Sequence, residues 1–182
     1  MFELNGSTAL VTGASAGLGE EFARQLAPLA RLLIVVARRG DRLEALKEAL
    51  EEQHPRLRVQ VYVADLTEGA EREELVEFLE REELLPDLLI NNAGMGDYGE
   101  FASADWSKTE QMLRLNLLAL THLARLLVPG MVARGGGAVL NVSSLAGEFP
   151  VPDFAVYAAS KAYVTSASSQ KNLNSASLEL LS

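Results

Sequence analysis

The chain has 182 residues, of which 48% are hydrophobic and none is cysteine, and its formal net charge is −9. That length and apolar content supply one domain with a real core rather than a disordered chain. The absence of cysteine excludes disulfides, thiolate metal sites and cysteine nucleophiles; the acidic balance argues against nucleic acid as a partner; and two histidines, His54 and His122, supply a metal site or a Ser-His-Asp triad poorly.

The N-terminus shows no basic region and no cleavage site, so a cytoplasmic protein is expected. Thr8 to Thr12 reads as a short strand, and a helix with Phe22, Leu26 and Leu29 at helical spacing follows it. Leu32 to Ala37 has no polar alternation, the pattern of a strand buried on both faces of a parallel sheet. Asp41 opens a second helix with Leu43, Leu46 and Leu50 on one side; Val59 to Val63 is a third strand; and Thr67 is placed to cap an acidic helix whose carboxylates lie on its wet face. Asp87 to Asn91 is a fourth strand leading into a glycine-rich loop that runs through Gly99. Ser103 or Asp105 opens a long helix to about Pro129, and its apolar residues cover more than one face, as in a buried helix rather than a membrane span. Ala138 to Val142 is a fifth strand, and a loop with Pro150 and Pro152 leads to a helix carrying Tyr157 and Lys161. Strict strand-helix alternation with buried strands predicts an α/β fold: a doubly wound, Rossmann-like parallel sheet in three α/β/α layers, forming a single domain over residues 1–182.

Ligands in such sheets sit at the carboxyl ends of the strands. After the first strand come Gly13, Gly17 and Gly19, which let backbone approach a pyrophosphate at a helix N-terminus, so nucleotide binding is expected there. At the end of the second strand Ala37 stands where an acidic residue would bind the ribose hydroxyls of NAD, and the guanidinium of Arg38 beside it suits a 2′-phosphate. Asp65, after the third strand, can accept from an adenine amino group or cap the next turn. Tyr157 and Lys161 are four residues apart, on one helical face. An ammonium beside a phenol favours the phenolate, which builds a proton donor for a carbonyl or an acceptor for an alcohol.

The ordered set Thr12-Gly13-x-x-x-Gly17-x-Gly19, Asp65, Asn91-Asn92-Ala93-Gly94, Asn116, Ser144 and Tyr157-x-x-x-Lys161 resembles the motifs of the short-chain dehydrogenase/reductase family, from about Thr8 to Val164. The resemblance implies an oxidoreductase passing hydride between a nicotinamide cofactor and a carbonyl or secondary alcohol. By it, Tyr157 is the general acid/base, Lys161 supports it and holds the nicotinamide ribose, Ser144 binds the substrate oxygen, and Asn116 holds a water behind Lys161. Cofactor contacts are implied at Gly13, Ser15, Gly17, Leu18, Gly19, Arg38, Asp65, Leu66, Asn92, Ala93, Gly94, Tyr157 and Lys161. Arg38 favours NADP, with NAD as the alternative. The family also implies a homo-oligomer through the helices at 106–128 and 154–166; from the composition and the helix pattern, no metal and no membrane are expected. A nucleotide-sugar epimerase shares the Tyr-x-x-x-Lys pair, but the Gly13 spacing and Asn91 to Gly94 argue against it.

The match weakens after Val164. Residues 165–182 are an atypical tail, rich in serine and asparagine, which are poor helix formers. Leu178 to Ser182 has no evident partner, so the family's C-terminal strands are expected to be missing and the fifth strand to lose a neighbour. A truncated or frame-shifted end on a normal family core is the expectation, with a nucleotide-binding fragment of little turnover as the alternative function.

Overall fold

The computed structural model describes residues 3–149, 151–168 and 176–181; Met1, Phe2, Pro150, the run 169–175 and Ser182 lie outside them. Strands and helices alternate along the chain as β1 (Thr8–Thr12), α1 (Gly17–Leu26), β2 (Leu32–Ala37), α2 (Gly40–Gln53), β3 (Arg58–Val63), α3 (Gly69–Arg81), β4 (Leu88–Asn91), α4 (Trp106–Leu113), α5 (Leu120–Ala133), β5 (Gly137–Val142), α6 (Ala155–Ser168) and β6 (Ala176–Leu181). The strands form one sheet in the order β3-β2-β1-β4-β5-β6, and every pairing is parallel. The order reverses between β1 and β4, so a crevice opens there at the carboxyl ends of the strands.

Two apolar cores flank the sheet, because alternate residues of a strand point to opposite faces. Ala9 and Val11 of β1, Leu33 and Val35 of β2 and Ile90 of β4 join Ala23, Leu26, Leu43, Leu46 and Leu50 from α1 and α2. Leu10, Ile34, Val36, Leu89 and Val139 face the other way, against Leu75 and Leu79 of α3 and Leu123, Leu127 and Met131 of α5. All of β1, β2 and β4 is buried, which is why those strands carry unbroken apolar runs.

The long helix differs from its expected form. Asp105 is its N-cap, accepting from Ser107 N at 2.8 Å, but a π turn at Arg114–Ala119 interrupts it and it continues past Pro129 to Ala133. Pro129 sits within α5 without ending it. The combined Trp106–Ala133 stretch is long and apolar enough to span a membrane by length and composition alone, yet Leu123, Leu127 and Met131 are buried on the sheet.

Three further expectations are corrected. Thr67 does not cap α3: the N-cap is Glu68, and the Thr67 hydroxyl donates to Asp65 Oδ1 at 2.8 Å. Helix α6 continues past Val164 to Ser168, through the first of the residues read as poor helix formers. Its late polar residues are held from within the fold. Ser168 Oγ donates to Val164 O at 2.7 Å and accepts from Asn141 Nδ2 at 3.1 Å, and Thr165 Oγ1 shares a hydrogen bond with Ser143 Oγ. Finally, β5 keeps a neighbour, because Ala176–Leu181 pairs with all of it in register from Gly137 to Val142. Composition suggested a break here, whereas an edge of unpaired peptide groups gives even a weak strand former a partner.

Candidate active site

The crevice at the β1/β4 switch point is built from backbone. Gly13 takes φ +69° and Gly17 φ +59°, the left-handed region where a side chain is strained. Gly19 has ordinary φ but no room: a Cβ there would stand 2.3 Å from Gly13 O and 2.5 Å from Asn92 Nδ2. The N-cap of α1, Ala16, makes no side-chain cap, so the first-turn amides of α1 are left for an anion.

Thr12 ties this loop to the segment after β4. Its hydroxyl donates to Ile90 O at 3.1 Å and accepts from the amides of Asn92 and Ala93, each at 3.0 Å. Asn92 Nδ2 donates back to Thr12 O at 2.9 Å. The cleft between them holds about 550 Å³ and is lined by Gly13, Ser15, Leu18, Arg38, Asp65, Leu66, Asn92, Ala93 and Gly94, all expected from sequence. Ala16, Ala37, Arg39, Ala64 and Leu115 complete the lining. Gly17 and Gly19 shape the loop without lining the cleft.

At its outer end Arg38 Nη1 lies 3.7 Å from Asp65 Oδ2, the arginine exposed and the aspartate half-buried. Burial acts against the Asp65 carboxylate, but the Thr67 amide and hydroxyl and the Arg38 guanidinium outweigh it and hold the carboxyl below its usual range. Arg39, not singled out beforehand, donates to Ser15 Oγ at 3.0 Å and so bridges the glycine loop to the end of β2. A second arginine directly after Arg38 was the available signal.

The remaining predicted residues gather behind the cleft, on α6, β5 and the π turn. Lys161 is buried, and its ammonium donates to Val142 O at 2.9 Å. Burial pushes its pKa below the ordinary lysine value. Its Nζ lies 5.9 Å from the centre of the Tyr157 ring. Gly94 fits against both Lys161 and Asn116, since a Cβ there would stand 3.2 Å from Asn116 Oδ1 and 3.5 Å from Lys161 Nζ. Asn116 is 2% exposed. Its side chain holds Met95 by N–H and C=O and donates to Ser160 Oγ at 3.0 Å; Ser160 in turn donates to Tyr157 O. The π turn thus carries a buried amide that reaches α6, in line with the frequent use of π bulges at functional positions.

The two serines after β5 have different surroundings. Ser143 is buried and donates to Lys161 O at 2.9 Å. Ser144 is only half-buried and accepts from Ala146 N at 3.2 Å, which leaves its hydroxyl hydrogen for a ligand. Gly147 packs against the same Lys161–Ala162 peptide that Ser143 holds; a Cβ there would meet Lys161 C at 2.6 Å. Sequence reasoning missed Ser160, Ser143 and Gly147 as supports of the pair, although Ser143 and Ser160 adjoin residues it chose. Tyr157 stands at the end of a row of rings, with Phe154 5.7 Å away and Tyr98 5.2 Å beyond it. Among the described residues no group of three acidic, histidine or cysteine side chains could hold a metal.

A protein-family model described as short chain dehydrogenase matches residues 7–177. The very-long-chain 3-oxoacyl-CoA reductase of Anas platyrhynchos is 34% identical over 87% of this chain and 52% of that protein. The NADP-dependent 3-hydroxy acid dehydrogenase YdfG of Escherichia coli K12 is 36% identical over 85% of this chain and 61% of that protein. The chain thus spans about half the length of such relatives. Among solved structures, a short-chain dehydrogenase from Sphingobium yanoikuyae in complex with NADPH superposes with TM-score 0.88 at 35% identity, covering 96% of this chain and 69% of that one. The bulky-bulky ketone specific alcohol dehydrogenase of Comamonas testosteroni superposes with TM-score 0.88 at 33% identity, covering 96% and 70%.

Proposed function

Because this chain belongs to the short-chain dehydrogenase family, we propose that it is an oxidoreductase interconverting a carbonyl compound and a secondary alcohol with NADP. The observation that carries the reading is Lys161, a buried ammonium held on Val142 O within 5.9 Å of the Tyr157 ring. With that ammonium beside its ring, Tyr157 gives a proton to a carbonyl oxygen or takes one from an alcohol. Ser144, with its hydroxyl hydrogen uncommitted, donates to the same oxygen. Asn116 holds the Met95 backbone and Ser160, and through them the loop and helix between which a relay water would sit.

The residues present fit a dinucleotide: uncapped amides at the start of α1, a glycine loop that a Cβ would fill, and arginines at the outer end of the cleft. When bound, such a cofactor supplies the hydride. Arg38 supports NADP over NAD, since it lines the cleft, is 68% exposed, and is opposed only by a long ion pair to Asp65. Trp106, Leu118 and Tyr163 are exposed on α4, the π turn and α6, which supports a homo-oligomer through those helices, to be tested by light scattering. We place the protein in the cytoplasm, where fractionation would find it.

A thermal-shift titration with NADP and NAD, followed by NADPH oxidation over a panel of ketones and aldehydes, tests the reading. A melting shift without turnover of any compound would leave nucleotide binding alone, the alternative.

A further inference from the structure

Beside Tyr157, apart from the nucleotide cleft, lies a second cavity of about 320 Å³. It is enclosed by the 97–105 loop, α4 and the start of α6. Thr109 and Met112, both buried, line its α4 side. Tyr98, Phe154 and Tyr157 form an aromatic wall, each ring tilted on the next. The wall is braced rather than loose: Gly99 N donates to Asp153 O at 3.0 Å, and the Tyr98 hydroxyl donates to Asp153 Oδ2 at 3.3 Å. Asp153 itself is held at φ +62°.

The charged residues of this cavity are one-sided. Asp97, Glu100, Asp105 and Asp153 contribute carboxylates, and Lys108 is its one cation among the described residues. That cation is already engaged, because the Lys108 ammonium donates to Asp97. Four carboxylates against one paired ammonium leave, among the described residues, a formal surplus of three negative charges and no free cation for a ligand carboxylate or phosphate. Flat rings pack on such an aromatic wall, and cations are drawn to ring faces.

We propose that this cavity receives the aromatic portion of uncharged or cationic carbonyl compounds and rejects anionic ones. The proposal rests on the oxidoreductase reading and sharpens its substrate class. Hydroxy acids and acyl-CoA thioesters are anions at neutral pH, so the cavity sets this chain apart in substrate charge from relatives named for those compounds.

Three ketones of one size test it with the NADPH-bound full chain: 4-acetylbenzoate, its methyl ester, and 4-acetyl-N,N,N-trimethylanilinium. Binding is read by calorimetry and turnover by NADPH oxidation. At about 10 mM salt the anion should bind roughly tenfold more weakly than the ester, and the gap should shrink at about 0.5 M salt as screening takes over. Glu100→Lys, and separately Asp153→Asn, should narrow the ratio of ester to anion affinity by about threefold. An anion that binds as well as the ester or better overturns the proposal, and so does failure of all three to bind. If the binding order holds while none is turned over, the cavity's preference stands and the oxidoreductase reading falls.

Discussion

The two halves of the molecule hold their functional atoms by different means. In the half built on β1 to β3, backbone shape carries the site: glycines at φ +69° and +59°, a third with no room for a Cβ, and uncapped amides at the start of α1. Its charged contact, Arg38 with Asp65, is long and solvent-facing. In the half built on β4, β5 and α6, side chains carry the site. Asn91 Nδ2 donates to Asn141 Oδ1, Asn141 donates to Ser168, Asn116 to Ser160, Ser143 to the Lys161 carbonyl and Lys161 to Val142, and nearly all of these groups are buried. A nucleotide needs a cradle of amides, which rigid backbone gives. Proton transfer needs one phenol and one ammonium held in place, and buried polar contacts fix them at the risk of large penalties when one partner is lost.

The largest effect expected from this contrast separates chemistry from binding. Tyr157→Phe removes the hydroxyl proposed to transfer the proton and should lower the turnover number by about 10³-fold. The NADP-induced rise in melting temperature should survive, because the nucleotide cleft does not depend on that hydroxyl. Parent-like turnover would sink the catalytic assignment; loss of the thermal shift would mean the halves are not separable.

Gly19→Ala makes the opposite cut. The new methyl would stand 2.3 Å from Gly13 O and push the phosphate loop off Asn92. NADP affinity should fall by about a hundredfold, near 2.7 kcal/mol, with a stability cost of about 1–3 kcal/mol. Calorimetric titration checks the first and urea unfolding the second. Unchanged affinity would show that the loop's shape is not what holds the nucleotide.

Asn91→Leu probes the buried polar half. It strands Asn141 Oδ1 in a site where Asn91 is 3% and Asn141 2% exposed. The expected loss is about 2 kcal/mol in urea unfolding, the usual cost of a buried group left without its partner. A neutral result would mean that water replaces the lost amide and that the buried network tolerates gaps.

How much of this was legible in the sequence follows the same division. The parallel sheet, the glycine loop and the cleft lining from Gly13 to Gly94 were readable, because apolar runs and glycines report directly on burial and backbone shape. The supports of the proposed catalytic pair were not. Ser143, Ser160 and Ser168 look like ordinary polar residues, and only tertiary contact gives each its partner. The same blindness made the end of α6 look like a break, although Ser168 bonds to Asn141 of the sheet, and hid the pairing of β6 with β5. The π turn left no apolar period to detect; Asn116 was identified by resemblance alone, and the structure supplies its physical setting.

A smaller effect is expected at the outer end of the cleft. Arg38→Ala should reduce the ratio of NADP to NAD affinity by about tenfold, since one charge-assisted contact to a 2′-phosphate is removed. Paired titrations measure it. If the ratio holds, Arg39 supplies the discrimination while bridging to Ser15.

Smallest of all should be the acid dependence of stability that Asp65 brings. Its carboxyl titrates below the ordinary 3.8, burial being outweighed by Thr67 and Arg38. A depressed folded value means that folding favours the carboxylate. That stabilisation is complete above the unfolded value and is lost as pH falls through the lower folded one. The side chain is 35% exposed, so solvent screens it and the contribution should stay under about 1 kcal/mol. Urea midpoints of the parent and Asp65→Asn, followed from pH 7 to pH 2, should differ by a constant amount above about pH 5 and converge below the aspartate range. A gap that widens on acidification would reverse the sign and show that the folded chain holds Asp65 charged at a cost. A gap as large as that of Asn91→Leu would break the contrast itself, because an exposed contact in the backbone-built half would then matter as much as a buried one in the other.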